Sequence, residues 1–153
     1  MDQPDQKKQM KPRFLEFARK AALAYSTVCK PLCTELGFPR TAFDILMFLA
    51  NNPEHKTARD IVELRHIKAN LVSVNVEKLV HDGYLVRRAV PGDRRKAELC
   101  CTEKALPIIE RGRELHESFF EGLFAGMDDE TRDAFFRAAE IINENLDSVL
   151  KEK

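Results

Sequence analysis

The sequence is short of most features that would place it in an obvious class. No apolar run approaches the ~20 residues a membrane-spanning helix needs, and the opening MDQPDQKKQMKPR lacks the apolar stretch of a secretory signal. A cytoplasmic protein without a membrane partner is therefore expected. Cysteine is sparse: Cys29, Cys33 and the adjacent Cys100 and Cys101 offer neither a Cys-x-x-Cys pair nor the spread of a disulfide framework. Reduced thiols follow. The four histidines, His55, His66, His81 and His116, form no His-x-x-x-His pair and no Cys/His finger, so nothing marks a metal site. Neither a nucleophile-base pairing nor a phosphate-cradling glycine loop is visible, which argues against an enzyme and implies no cofactor. Net charge is also absent, with 25 basic and 25 acidic residues.

That zero conceals a division. Residues 1–58 carry nine Lys and Arg against six Asp and Glu, residues 59–98 again nine against six, and residues 99–153 seven against thirteen, giving +3, +3 and −6. Such asymmetry fits a polyanion-binding middle, although a charged face that merely solvates a helix is commoner in general. The basic residues are most concentrated in YLVRRAVPGDRRKAELC, residues 84–100, where Arg87, Arg88, Arg94, Arg95 and Lys96 lie on the two arms of one Pro-Gly turn. At 153 residues, 44% hydrophobic and 33% charged, the chain is within the range of an ordinary globular domain.

Apolar residues recur at helical spacing from Phe14 to about Leu36, through Phe17, Ala21, Ala24 and Val28, predicting a long first helix. Pro31 lies inside that pattern and should kink or end it, with Gly37 as a stop. FPRTAFDILMFLANN reads as a second helix with Pro39 at its entry and Phe43, Leu46, Met47 and Ala50 on one face. Thr57 and Asp60 form a capping-box pattern at the start of a short third helix, TARDIVELR. A fourth spans about residues 68–82, with Leu71, Val72, Val76 and Leu79 as core candidates, polar residues around the rest, and Gly83 at its end. YLVRRAV and KAELCC read as two strands joined at Pro91-Gly92-Asp93. Thr102 can cap a helix starting at Glu103, and Asp128 the last helix, where Phe135, Ala139, Ile142, Leu146 and Val149 or Leu150 repeat every seven residues.

The fold class expected is thus mainly α with a small β-hairpin: a helix-turn-helix with a hairpin wing, flanked by long helices. Three regions follow: residues 1–36 as an N-terminal helix, residues 37–101 as the winged module with its wing at about 85–101, and residues 102–153 as C-terminal helices. In such an arrangement the second short helix can enter a DNA major groove while the hairpin reaches the adjacent minor groove.

The segment from LGFPRTAFDILMFL to VEKLVHDGYLVRRAVPGDRRKAELCCTEKA resembles the MarR-type transcriptional regulators. The sharpest part is the ordered set of LVHDGYLVRR, the wing GDRR and the helix start CTEKA. The resemblance implies a homodimer with interlocked terminal helices, bound to double-stranded DNA at a near-palindromic promoter site. It implies regulation of transcription, by family habit repression, relieved by a small aromatic or amphipathic effector. Asp93 and Arg95 match the Asp-x-Arg of the family's wing, where the arginine enters the minor groove and the aspartate helps hold it; Arg94 and Lys96 would then contact phosphates. Ser73 falls where the family often has Ser or Thr facing bases, with Lys68, Asn70, Asn75 and Lys78 nearby. Val74 occupies a position where many members carry arginine, and a valine can meet a thymine methyl.

Because strand side chains alternate, only one of Arg87 and Arg88 should face DNA squarely. Arg88 is assigned to DNA, and Arg87 is free to pair with an acid of the helical part. Phe14, Phe17, Phe135, Ile142, Leu146 and Leu150, with Phe119, Phe120, Phe124 and Phe136, supply apolar surface for a dimer. Two alternatives stand beside the DNA reader. One is a winged-helix protein-interaction module; the other is a thiol-based sensor of oxidants. Cys29 and Cys33 lie one helical turn apart, about 6 Å between Cα atoms with side chains running parallel, poor geometry for a bridge. Packing is the expected role of these two, and of Cys100 and Cys101 one should be buried and the other semi-exposed.

Overall fold

The computed structural model describes the backbone of residues 3–151, and side chains for residue 10 and residues 13–151. The chain divides into two compact units, residues 1–116 and 117–153. The first contains α1 (Gln3–Leu36), α2 (Arg40–Asn51), α3 (Ala58–Arg65), α4 (Ala69–His81), the hairpin β1 (Leu85–Val90) and β2 (Asp93–Cys101), a 3-10 turn (Glu103–Ala105) and most of the turns of α5 (Leu106–Leu123). The second holds the end of α5 and α6 (Asp129–Lys151).

Helix ends follow from identifiable caps. Gly37 takes φ +69°, and the amides of Gly37 and Phe38 donate to the carbonyls of Thr34 and Cys33, a Schellman closure of α1. The same pair of bonds, from Gly83 and Tyr84 to Val80 and Leu79, closes α4. Pro31 does not end α1, which continues to Leu36. Proline withholds only the amide that would bond the Thr27 carbonyl, and the buried Leu32 and Cys33 hold the following turn against the core. The helix also starts at Gln3, ahead of the periodic stretch that begins at Phe14. At α3 the capping box forms as expected: the Thr57 hydroxyl accepts from the Asp60 amide and the Asp60 carboxylate from the Thr57 amide, both at 3.1 Å.

α2 is the centre of the first unit. On one side Ala42, Ile45, Leu46 and Leu49 meet Ile61, Val72, Val76, Leu79, Leu85, Leu99 and Ile108. On the other, Phe43 and Met47 meet Cys29, Leu32 and Cys33. The predicted face of Phe43, Leu46 and Met47 is buried, with Ala50 partly so. Ile45, Phe48 and Leu49 are buried as well, because a helix covered on two sides buries more than one stripe. Gly112 of α5 is needed at its contact: a Cβ there would lie 2.5 Å from Met47 Sδ and 3.2 Å from Phe43 Cε2.

Three expectations are corrected. Leu71 is not core but exposed, since it lies outside the arc of α4 that carries Val72, Val76 and Leu79. Thr102 does not cap a helix through its side chain; its hydroxyl donates to the Gly83 carbonyl at 2.6 Å, and a 3-10 turn precedes α5, whose second residue is Pro107. Cys100 and Cys101 are both partly exposed, whereas the core-facing positions at this end of the sheet are filled by Leu85 and Leu99, which are buried.

In the second unit Asp128 caps α6 as predicted, its carboxylate accepting the Thr131 amide at 2.8 Å. Phe124, Phe135 and Phe136 form a ring cluster with centroids 5.2 to 5.7 Å apart. No residue of α6 is buried.

Candidate nucleic-acid interface

α4 turns Val72, Asn75, Val76 and Leu79 inward. Lys68 at its N-cap, and Asn70, Ser73, Val74 and Lys78 along its length, are exposed. Asn75, expected among the DNA contacts, is instead buried, with its amide donating to the Leu71 carbonyl at 2.8 Å. The reason is spacing: Asn75 lies three residues after Val72 and four before Leu79, on the core arc.

The wing is built by an irregular ladder. Ala89 pairs with Ala97, yet the next residue, Val90, pairs with Asp93, so Arg94, Arg95 and Lys96 have no opposite residue and leave the ladder as an exposed basic tip. Pro91 presets the turn, and Gly92 takes φ +84°. Asp93 Oδ1 accepts the backbone amide of Arg95 at 2.9 Å. The aspartate thus holds the main chain at Arg95, which fixes where that guanidinium starts from. Arg87 donates to Glu77 Oε2 of α4 at 2.7 Å, the predicted pairing with an acid of the helical part, while Arg88 is exposed opposite Glu98.

The base of the wing is tied to α4 and α3. Lys104 Nζ donates to the Asp82 carbonyl at 2.6 Å and lies 4.6 Å from the Tyr84 ring centroid. A cation at the C-terminal end of α4 is favoured by the helix dipole and by the ring face. The Leu99 amide donates to the Lys56 carbonyl at 2.7 Å.

Between α3, α4 and the wing lies a cavity of about 660 Å³ with Val72, Val76 and Leu99 in its floor, and Ser73, Arg95 and Lys96 among its walls. Arg59 and Arg87 also line it, and no acidic residue does. Arg59 was not singled out in the sequence; its membership of the basic middle third was the available signal. Lys78 is placed elsewhere, lining a second cavity of about 440 Å³ with Lys30, Arg40 and Ser26. The structure therefore joins Ser73, Arg95 and Lys96 and separates Lys78 from them.

A polar group is enclosed among α1, α2 and α5. Tyr25 Oη and His116 Nε2 are 2.6 Å apart, the Arg40 guanidinium lies 4.4 Å from the Tyr25 ring centroid, and Arg40 Nε donates to Asp44 at 3.0 Å. Burial pushes the His116 imidazole below its ordinary value and the Tyr25 phenol above its own. Burial likewise pushes the Cys29, Cys33 and Cys101 thiols up, away from the thiolate form that reacts with oxidants. Among the described residues no group of three or more His, Cys, Asp or Glu could hold a metal ion, and no helix is long and apolar enough to cross a membrane.

Residues 36–96, from the end of α1 to the wing tip, match the model of the MarR family. Over these residues, from the end of α1 through the helix-turn-helix to the wing, the chain is similar to the MarR family. Solved MarR-type structures share the fold over most of the chain. A MarR protein from Peptoclostridium difficile is 20% identical, with a TM-score of 0.80 and 92% of each chain covered. A Listeria monocytogenes protein complexed with 26mer DNA is 16% identical, with a TM-score of 0.80 over 88% of this chain and 89% of its own. Bordetella bronchiseptica BpsR, whose DNA binding is regulated by 6-hydroxynicotinic acid, is 18% identical, with a TM-score of 0.68 over 86% and 98%. No curated protein matches the sequence.

Proposed function

We propose that the protein is a dimeric, sequence-specific DNA-binding regulator of transcription, a repressor released by a small aromatic or amphipathic ligand. The observation that carries the reading is the shared cavity wall: Ser73 on the exposed side of α4, and Arg95 and Lys96 on the wing tip, border one concave, acid-free surface. An exposed helix beside a cationic hairpin has the parts a duplex needs, with base edges for the helix and phosphates or the minor groove for the wing. Lys68, Asn70, Ser73 and Val74 are assigned to the major groove, and Arg88, Asp93, Arg94, Arg95 and Lys96 to the wing contacts.

Dimerisation is supported by the apolar side chains left in solvent: Phe14 and Phe17 on α1, and Phe135, Ile142, Leu146 and Leu150 on α6. A two-fold dimer sets its two reading helices ~34 Å apart, and a ligand that alters that spacing weakens binding. That the DNA binding of BpsR is regulated by a small aromatic acid supports the ligand part of the proposal. Against Cys29 and Cys33 as thiol sensors stands their burial, which pushes both thiols up.

Replacing Arg95 by Ala separates a DNA reader from a protein-interaction module. The DNA reader loses at least tenfold in affinity for its duplex, and its log-log salt slope falls by about 0.9 for one lost phosphate-like contact, with no change in thermal midpoint. Unchanged DNA affinity in a folded Arg95→Ala protein contradicts the assignment.

A further inference from the structure

We infer that α4 reads thymine through its 5-methyl group, with Val74 and Leu71 as the reading side chains. The inference rests on the DNA-binding reading above and names the base it selects.

The core arc of α4, defined by Val72, Asn75, Val76 and Leu79, places the outermost line of the helix at Asn70 and Val74. Val74 is 67% exposed and Leu71 45%. A single exposed apolar side chain is ordinary on any surface. These two differ by location: both are in the first half of the helix that a helix-turn-helix presents to base edges, in a module whose wing tip and cavity rim are cationic.

The hydrogen-bonding readers that could compete are few. No arginine lies on α4. Asn75 is turned inward onto the Leu71 carbonyl, and the Glu77 carboxylate is paired with Arg87. Lys68 at the N-cap, Asn70 and Ser73 remain in the first half of the helix, and Leu71 and Val74 are the hydrocarbon side chains beside them; Lys78 lies in the second half and lines a different cavity. In the major groove the one apolar feature a base pair presents is the thymine methyl; cytosine shows a bare C5–H with an amino group beside it, and purines show acceptors and an amino donor. Pressing Val74 and Leu71 against polar edges would strip water from groups they cannot satisfy. Against a methyl they bury apolar surface from both sides.

One buried methyl corresponds to about fourfold in affinity. The experiment uses the full-length protein. A duplex is first selected from a random pool, and each thymine of its half-site is then replaced singly by deoxyuridine, which pairs identically but lacks the methyl. The expected result is about a fourfold loss at one or more positions for the unmodified protein. In Val74→Ala or Leu71→Ala that penalty shrinks to less than twofold at the corresponding position. Both residues are exposed, so neither variant disturbs the core. Equal binding of the thymine and deoxyuridine duplexes at every half-site position overturns the inference alone, as does a penalty that persists in both variants or a selected half-site without thymine. Failure to select any sequence overturns the DNA-binding reading, and this inference with it.

Discussion

The two units of the chain handle apolar side chains in opposite ways. In residues 1–116, α2 is covered on nearly every side, and the exposed surface of α4 is set apart from a continuous core beneath it. In residues 117–153, α6 buries nothing, although Phe135, Phe136, Ile142, Leu146 and Leu150 recur along it at helical spacing. The winged module is complete as one chain. α6 carries the apolar seam of a coiled-coil-like helix; its own unit supplies Phe124 against Phe135 and Phe136, while Ile142, Leu146 and Leu150 stay exposed. The dimeric regulator proposed above calls for both properties: a packed reading head and a surface that a second copy covers.

Leu79 is fully buried among residues of α2, β1 and β2, so Leu79→Ala is expected to cost ~2–5 kcal/mol, measured by urea unfolding. A loss under ~1 kcal/mol would mean that the module is not packed as described. Next in size, Leu146→Glu should raise the dimer dissociation constant roughly 30-fold or more, the scale of a ~2 kcal/mol hot-spot loss. Sedimentation equilibrium reads this, and an unchanged mass distribution at micromolar protein would remove α6 from the interface. Thr57→Ala deletes the cap of α3 and should lower stability by about 1 kcal/mol while leaving the oligomeric state untouched.

The smallest effect is a pH response confined to the first unit. His116 sits at 2.6 Å from Tyr25, with its imidazole held below the ordinary histidine value by burial and by Arg40 and Arg65, while Asp44 opposes them. The unfolded chain therefore binds a proton that the folded chain resists, and stability declines as pH falls below the ordinary value of about 6.5. Unfolding midpoints at pH 7.5 and 5.5 should differ in the unmodified protein and converge in His116→Gln. Equal pH slopes in the two proteins would show that the imidazole titrates as in water.

Local signals in the sequence translated well where one interaction decides the outcome. Thr57 with Asp60, Gly37 and Gly83, and Pro91-Gly92 each predicted the cap or turn that forms, because the deciding bond is within a few residues. Pro31 does not end α1, whose next turn is held by the buried Leu32 and Cys33, and Thr102 misled because a carbonyl at Gly83, nineteen residues away, took the hydroxyl that the local rule assigned to a cap. In the candidate site the order of helix, glycine, basic strand and wing was visible, and so was the pairing of Arg87 with a helical acid. The inward turn of Asn75 was not. In a helix with apolar residues at 71, 72, 74, 76, 79 and 80, more than one arc can be drawn as the core, and only the packed structure selects 72, 75, 76 and 79. Arg59 and the separation of Lys78 from the wing were equally illegible, since both depend on how α3 and the hairpin are set around α4.

The surface shared by α4 and the wing is proposed to bind duplex DNA through its cations and its exposed helix. Fluorescence anisotropy of the full-length protein on a labelled duplex from upstream of its own gene, beside a random duplex of equal length and across several salt concentrations, tests it most directly. A DNA reader binds the upstream duplex more tightly, with a log-log salt slope of roughly −5 to −9, as for ~6–10 neutralised phosphates. Equal, weak binding to both duplexes, repeated with duplexes recovered from an unbiased selection, would contradict it.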